Sequence, residues 1–548
     1  IREMGGDYRG IHFIAAVDET TYLSRIARVL AGDYRLGNAM IYEYRDDPFT
    51  YGPLPEYVLG TIGRLAGLSI ATLDIAATFA LPAVIFLLFF GLLRRLSGRD
   101  VVALVGALTL VLGHYLVAKD SPLLQLRLYH PGFPHSLQLV RPVSPQFHYL
   151  LFVGALWLVY WSWCEPGSRR RRALAGVGWG LTFYLNFFFW TFLATGIALG
   201  AALALLRRDR ERVIAGIAVL TLGIAVGAYY WVNALRVMAT PGFHDISLRA
   251  GFLYMRRPLV PAAHVVWLGV FLLWLRRHRE HHGGWFLLPF LVGGLVCLNQ
   301  QVLTGRTVQP FHWETQTNKV VMLLSAFVIV AAWRASRPRL TGRRIGIAAA
   351  AAAAALLIAH AALLQTNYYR ANRAAIAGLQ ELGPALAWLR TSTPRDAVVV
   401  TNPEIPLRSE LVTVYGQRFA ILSEPFFMMS IIPLREIDAR LTFAARVFGL
   451  GDDGFRRVLD HGNGSLFFGM YSLPYYHRGD DAVVRRHLDE VAERYRTRTA
   501  AAGATDVRFR VDYVLVGADE RRALDLGALG AAREVYSDGR FAVLAVGG

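Results

Sequence analysis

Apolar residues in this chain run in long stretches over the first part and in short periodic segments after about residue 368. Stretches near 72–96, 100–118, 146–164, 189–207, 213–234, 258–276, 284–300, 318–335 and 344–366 are apolar enough to cross roughly 30 Å of hydrocarbon as helices, and 172–187 is a shorter candidate. The arginines punctuate this pattern. Clusters at Arg94, Arg95 and Arg99, at 169–172, at Arg207, Arg208, Arg210 and Arg212, at Arg276, Arg277 and Arg279, and from Arg334 to Arg344 follow every second crossing if 172–187 also spans. The positive-inside rule then assigns all five clusters to the cytoplasm. The same alternation predicts that 1–71, 119–145, 235–257, 301–317 and the tail after 367 lie outside, and it asks for one further helix ahead of Ile1. The pair 172–207 is short for two crossings, and the aromatic run 184–190 predicts an interfacial rim or a turn there.

Beyond 368 the periodicity is that of an α/β domain. Leu379, Leu382, Leu386 and Leu389 place a stripe on a helix over 374–390, which Pro394 closes. Short β-branched or aromatic runs at 397–400, 411–415, 511–516 and 541–546 predict strands, with a helix over 482–497 between the second and the third. Three parts follow: a first outer loop with an amphipathic helix (1–71), a transmembrane helical region (72–367) and a soluble α/β domain (368–548). The expected fold class is a polytopic α-helical membrane protein with a C-terminal extracytoplasmic mixed α/β domain. Because that domain has no compact catalytic motif, it reads as a cap, or as a platform for an envelope protein partner.

Composition supports the class. A chain with 54% hydrophobic and only 18% charged residues is too apolar for an ordinary soluble enzyme. The net charge of +18 is mostly topological, so no nucleic-acid partner is implied. Cys164 and Cys297 lie far apart and suggest neither a disulfide framework nor a paired-cysteine metal motif. No Walker-type phosphate loop is present.

Candidate chemistry concentrates first at Asp18 and Glu19. Tyr22, Ile26 and Val29, with Leu23, Ala27 and Leu30, repeat at helical spacing directly after the acidic pair. One reading makes Asp18 an N-cap and Glu19 a favourable first-turn charge of a helix on the membrane surface. The other makes the carboxylate a general base for an acceptor hydroxyl or amine.

Asp18, Glu19, Tyr22, Ala27-Arg28, Gly32-Asp33-Tyr34 and Gly52-Pro53-Leu54-Pro55 resemble the first outer loop of the GT-C glycosyltransferases, closest to the protein mannosyltransferase and aminoarabinose transferase branch. The resemblance spans about forty residues and is accompanied by many apolar segments and a C-terminal domain. It implies a sugar donor on a polyprenyl phosphate and Asp18 as the catalytic acidic residue. The chain departs from the aminoarabinose transferases at Thr50-Tyr51, where those proteins carry Glu-Lys before their proline motif.

Basic residues in predicted outer loops break the topological rule. Arg141, Arg256, Arg257, Arg306 and Lys319 are the candidates for a lipid phosphate, because guanidinium forks and ammonium groups neutralise phosphate oxygens. Contact with lipid headgroups is the plainer alternative. The segment 299–319 is a second polar concentration, in which Trp313 is a candidate to stack on a sugar, as is Tyr51 of the first loop. His312 and Glu314 are candidate substrate ligands, and with His130, His135 or His148 they leave a divalent metal open, although no spacing matches a known metal helix. No cofactor is otherwise required.

The leading expectation is an inverting membrane glycosyltransferase that moves a sugar from a polyprenyl-phosphate donor to an outer-face acceptor. A transporter or flippase of lipid-linked sugars, or an envelope scaffold, is the alternative.

Overall fold

The computed structural model describes residues 5–12, 14, 19–113, 136–249, 252–336, 343–423, 431–459, 481–500, 509–525, 527 and 529–547. The chain divides into two compact units, one made of 1–74, 232–253 and 374–548, the other of 75–231 and 254–373. Each is described by itself.

The second unit is helical. Among the described residues, six helices are long and apolar enough to cross a membrane: Ile70–Ser97, Pro142–Cys164, Phe187–Leu206, His282–Thr304, Trp313–Ser336 and Ile345–Ser392. They coincide with six of the predicted stretches. The predicted crossing at 213–234 is instead two helices, Arg210–Val226 and Ala228–Met238, bent by 57°. Gly227 stands at the break, where the Phe183 ring lies 2.5 Å from the place a Cβ would occupy, so only hydrogen fits. The predicted crossing at 258–276 is the 16-residue helix Ala262–Arg277. The short candidate at 172–187 is the 13-residue helix Arg169–Leu181, about 20 Å long at 1.5 Å per residue and so too short to cross alone.

Small residues bring these helices together. A Cβ on Gly196 would meet the Phe290 ring at 2.1 Å, one on Gly223 the Trp179 ring at 1.9 Å, and one on Gly180 the Val226 side chain at 2.5 Å. Such close approach is how helices pack when the hydrophobic effect between them is weak.

The first unit contains a five-stranded mixed sheet. Its strands are β1 (Val398–Val400), β2 (Phe419–Ala420), β3 (Tyr513–Gly517), β4 (Ala532–Ser537) and β5 (Phe541–Val546), in the order β2-β1-β3-β5-β4. β1 pairs in parallel with β2 and β3, whereas β5 is antiparallel to β3 and β4. The three valines of β1 are all buried, as expected for a parallel strand covered on both faces. The β4–β5 turn is local chemistry: Asp538 Oδ1 accepts from the amides of Arg540 and Phe541, and Gly539 supplies a φ of +87°.

The strands predicted at 397–400, 511–516 and 541–546 and the helix at 482–497 are present. The strand predicted at 411–415 is a correction, because those residues belong to the helix Pro406–Val414 and its cap Tyr415. A proline in the first turn starts it, and residues 408–416 are buried all round, so the β-branched run reads equally as a buried helix. The change of pattern at 368 falls inside one continuous helix, Arg343–Leu379.

The first loop is built into the same core as the sheet. Met40 and Ile41 are buried among Val398, Phe419, Leu441, Val514 and Leu544, and Ala420 donates its amide to Met40 O at 2.8 Å.

Candidate functional site

The acidic motif leads into α1 (Glu19–Leu30), which begins at the residue after Asp18. Asp18 itself lies outside the described residues. Every residue of α1 from Glu19 to Val29 is buried, including Glu19, Arg25 and Arg28. A helix lying on a membrane surface would expose its polar face, so that expectation is corrected: the polar side chains of α1 face protein partners.

The partners account for the burial. Arg25 forms an ion pair with Glu56, Nη1 to Oε1 2.9 Å, with both side chains at most 2% exposed. The Arg25 guanidinium also sits 4.5 Å above the Tyr51 ring, which meets Tyr22 edge-on. Glu56 belongs to the first turn of α2 (Leu54–Leu65), where Pro55 starts the helix and a carboxylate suits the dipole. Burial raises the Glu56 carboxyl above its usual range, while Arg25 pulls it back. α1 and α2 approach closely because Gly60 has no side chain; a Cβ there would lie 2.6 Å from Val29 Cβ.

Arg28 donates Nε to Ala39 O at 3.1 Å and Nη1 to Arg395 O at 3.3 Å, and covers the Phe419 ring. The Gly32-Asp33-Tyr34 part of the motif is a helix stop. Gly32 adopts φ +87°, its amide donates to Val29 O, and the Asp33 amide donates to Arg28 O, the pattern of a Schellman cap. Tyr34 stacks with Tyr57, whose hydroxyl donates to Tyr34 O at 2.8 Å.

A second buried array lies in the same unit. His12 Nε2 is 2.9 Å from Asp74 Oδ2, in the first turns of α3 (Ile70–Ser97), and His12 Nδ1 is 2.6 Å from the Tyr415 hydroxyl. The His12 amide donates to the same hydroxyl at 3.2 Å. Burial, with Asp74 and Glu19 among the nearby groups, holds Tyr415 well above its usual range, so the phenol keeps its proton. Thr20 Oγ1 donates to Glu410 Oε2 at 3.1 Å.

The other predicted site residues belong to the helical unit. Arg256, Arg257 and Arg306 gather about one end of the helix His282–Thr304. Arg256 Nη1 donates to Val302 O and Leu303 O at 3.1 and 2.9 Å, capping the last carbonyls, as a cation at a helix C-terminus does. Arg257 is exposed and accepts at its carbonyl from Gln301 Nε2; Arg306 is exposed, and its carbonyl accepts from Gln300 Nε2 and Thr304 Oγ1. Arg141 directly precedes the helical turn Pro142–Phe147, and Lys319 begins the helix Lys319–Ser336.

His312 stacks on Phe188 at 4.6 Å. Trp313 is buried edge-on to Phe187 and Phe188 and donates Nε1 to Thr191 Oγ1 at 3.0 Å. Glu314, the next residue, is half-buried. Among the described residues no group of three His, Cys, Asp or Glu side chains is arranged to hold a metal; His130 and His135 lie outside them. His148 Nδ1 pairs with Ser144 Oγ at 3.1 Å.

Sequence reasoning missed His12, Glu56, Asp74, Glu410 and Tyr415. Asp74 carried a usable signal, being an isolated carboxylate near the start of an apolar stretch. His12 and Tyr415 carried none, since 403 positions separate them. No protein-family model and no curated protein matches this chain.

Proposed function

We propose that this protein is an integral-membrane glycosyltransferase whose donor is a sugar on a polyprenyl phosphate and whose acceptor is presented on the extracytoplasmic side, together with the C-terminal region. The acceptor oxygen or nitrogen attacks the anomeric carbon and the bond to the phosphate oxygen breaks. Asp18 takes the acceptor proton, polyprenyl phosphate leaves, and the anomeric configuration inverts. Glu19 positions Asp18 or the acceptor. The leaving phosphate needs cationic donors, for which Arg141, Arg256, Arg257, Arg306 and Lys319 are the candidates; Tyr51, His312, Trp313 and Glu314 are candidates for the sugar.

The observation that supports this reading is the rigid seat of α1: a helix that starts beside Asp18, with Glu19 buried in its first turn and its middle locked by the Arg25–Glu56 pair. Chemistry of this kind needs an acid held in place by its surroundings. The test is sugar transfer from a synthetic polyprenyl-phosphate donor by the full chain in nanodiscs. Asp18→Asn is expected to abolish turnover without lowering the unfolding temperature; near-normal turnover overturns the assignment.

A second reading, a transporter of lipid-linked sugars, has one observation in its favour. The bend between Arg210–Val226 and Ala228–Met238 is the kind of broken helix that transporters use. Movement of a fluorescent lipid-linked sugar across proteoliposomes, undiminished by Asp18→Asn, would favour it.

A further inference from the structure

Four helices of the helical unit leave an apolar crevice near their arginine-rich ends. It lies between the last turns of Pro142–Cys164, the second half of Phe187–Leu206 and the first halves of Arg210–Val226 and His282–Thr304. From Arg212 at its rim to Val219 at its inner end the crevice follows seven residues of one helix, about 10 Å at 1.5 Å per residue. Gly196, Gly200 and Gly216 line it, and the rings of Trp163 and Phe290 flank it. Its enclosed space is about 30 Å³, room for about two water-sized groups in cross-section and depth. A slim unbranched chain lying along it suits that space better than a ring or a methyl-branched chain.

The polar atoms of the crevice sit toward its rim. Ser162 lines it, is 3% exposed, and its Oγ has no hydrogen-bond partner among the described residues. Left dry in apolar surroundings, such a hydroxyl is costly. Arg212 is already engaged: it pairs with Asp209, donates Nε to Trp163 O at 3.2 Å and lies over the Trp163 ring. Two further arginines stack on tryptophan at this end, Arg171 on Trp161 and Arg207 on Trp285, as side chains do at the level of lipid headgroups.

The segments 165–172 and 207–212 together carry eight arginines against three carboxylates. Arg208 and Arg210 stand between two of the helices that frame the crevice. Both are exposed, and their guanidinium groups make no ion pair or hydrogen bond among the described residues. Arg208 has a φ of +60°, at a helix end where glycine is the usual residue. Unengaged cations, then a buried hydroxyl without a partner, then an apolar slot follow one another along these helices. A phosphate, an ester carbonyl and an acyl chain follow one another in the same order.

We propose that this crevice binds an anionic glycerophospholipid. Arg208 and Arg210 hold the phosphate, Ser162 donates to an ester carbonyl, and one acyl chain lies along the glycines toward Val219. The site shares no residue with those assigned to sugar transfer and does not rest on that reading.

The test titrates the full chain in detergent micelles with phosphatidylglycerol and with phosphatidylcholine of the same acyl chains, counting retained lipid by native mass spectrometry. Phosphatidylglycerol is expected to bind about tenfold more tightly or better. Arg208→Gly with Arg210→Ala is expected to lower that affinity by about tenfold or more, since each arginine near an anionic headgroup is worth about fivefold. Glycine suits the left-handed turn, so this variant keeps its fold. Gly200→Leu fills the crevice, because a Cβ there meets nothing closer than 3.4 Å, and is expected to lower retained phosphatidylglycerol to the level of phosphatidylcholine. Phosphatidylglycerol with a diazirine on its acyl chain is expected to label 196–201 and 212–219 in wild type, a readout that needs no variant.

Equal affinity for the two lipids, or a preference that survives both variants, overturns the site. Labelling of 196–219 no stronger than that by phosphatidylcholine with the same chain overturns it as well. Competition by glycerophosphate as effective as by the lipid does the same, since the acyl chain would then contribute nothing.

Discussion

The two units solve the problem of a stable interior in opposite ways. The unit with the sheet buries charge: Arg25 against Glu56, Arg440 between Glu43 and Glu436 at 3.0 and 2.8 Å, and Arg418 on Thr393 and the carbonyls of Arg390, Thr393 and Gln417. The helical unit turns apolar side chains outward. Phe79, Leu87, Leu205, Leu206, Ile214, Val266, Leu273 and Leu356 are exposed, and its interior is closed by glycines against aromatic rings. An apolar exterior of that extent is what a bilayer would solvate. Where lipid surrounds the helices, burying a leucine between them gains little over leaving it outside, so close packing decides. In the sheet-containing unit charged side chains are taken inside against fixed partners, and the Arg25–Glu56 pair holds α1 to α2.

The sharpest break in that comparison is the removal of one partner of a buried pair. Glu56→Ala leaves the Arg25 guanidinium buried without its carboxylate and is expected to cost about 3–5 kcal/mol, seen as a large fall in the unfolding temperature of the sheet-containing unit. Replacing both residues, Arg25→Met with Glu56→Leu, is expected to recover most of that loss.

Gly223→Ala is the matching test in the helical unit. Its new Cβ would fall 1.9 Å from the Trp179 ring, and an overpacking cost of about 1–3 kcal/mol is expected in thermal unfolding.

The same buried carboxylate gives a pH signature. Burial raises Glu56 in the folded chain above the 4.5 of an exposed glutamate. The folded state therefore holds that proton more tightly than the unfolded chain. The stability it contributes is fully present below pH 4.5 and is lost as pH rises through the folded value. Unfolding temperatures of wild type and Glu56→Gln across pH 4 to 7 are expected to differ by a margin that shifts against wild type as pH rises.

The smallest effect is expected at the surface. Arg35 pairs with Asp33 at 2.9 Å but is 55% exposed, so Arg35→Ala should change stability by less than about 1 kcal/mol and by less still in high salt.

Much of the helical unit was legible in the sequence because its signal is local. A run such as 72–96 declares its length and apolarity without reference to any other part of the chain. The start of α1 after Asp18 was legible for the same reason. The run 411–415 was misread because a β-branched stretch buried on every side has no periodicity that separates strand from helix; the neighbours of Tyr415 decided it. Arg256 stands out in the sequence by its place before Pro258, but nothing there shows that its guanidinium caps a helix end some forty-five residues further on. The roles of Tyr415 and Glu410 were illegible, since hydrogen bonds between positions 12 and 415 or 20 and 410 leave no spacing to read.

By itself, the sequence determined that this chain has helices long and apolar enough for a membrane, a small mixed sheet near its C-terminus, and a helix opening on an acidic pair. Those are consequences of hydrophobic pattern, turn residues and caps, which act over a few residues. Only the tertiary structure decided that α1 is buried rather than lying on a surface, that Arg25 answers Glu56, and that His12 and Thr20 are both held from a helix near residue 410. A buried polar side chain finds its partner through the fold, and in this chain the fold brings together residues separated by nearly four hundred positions or more.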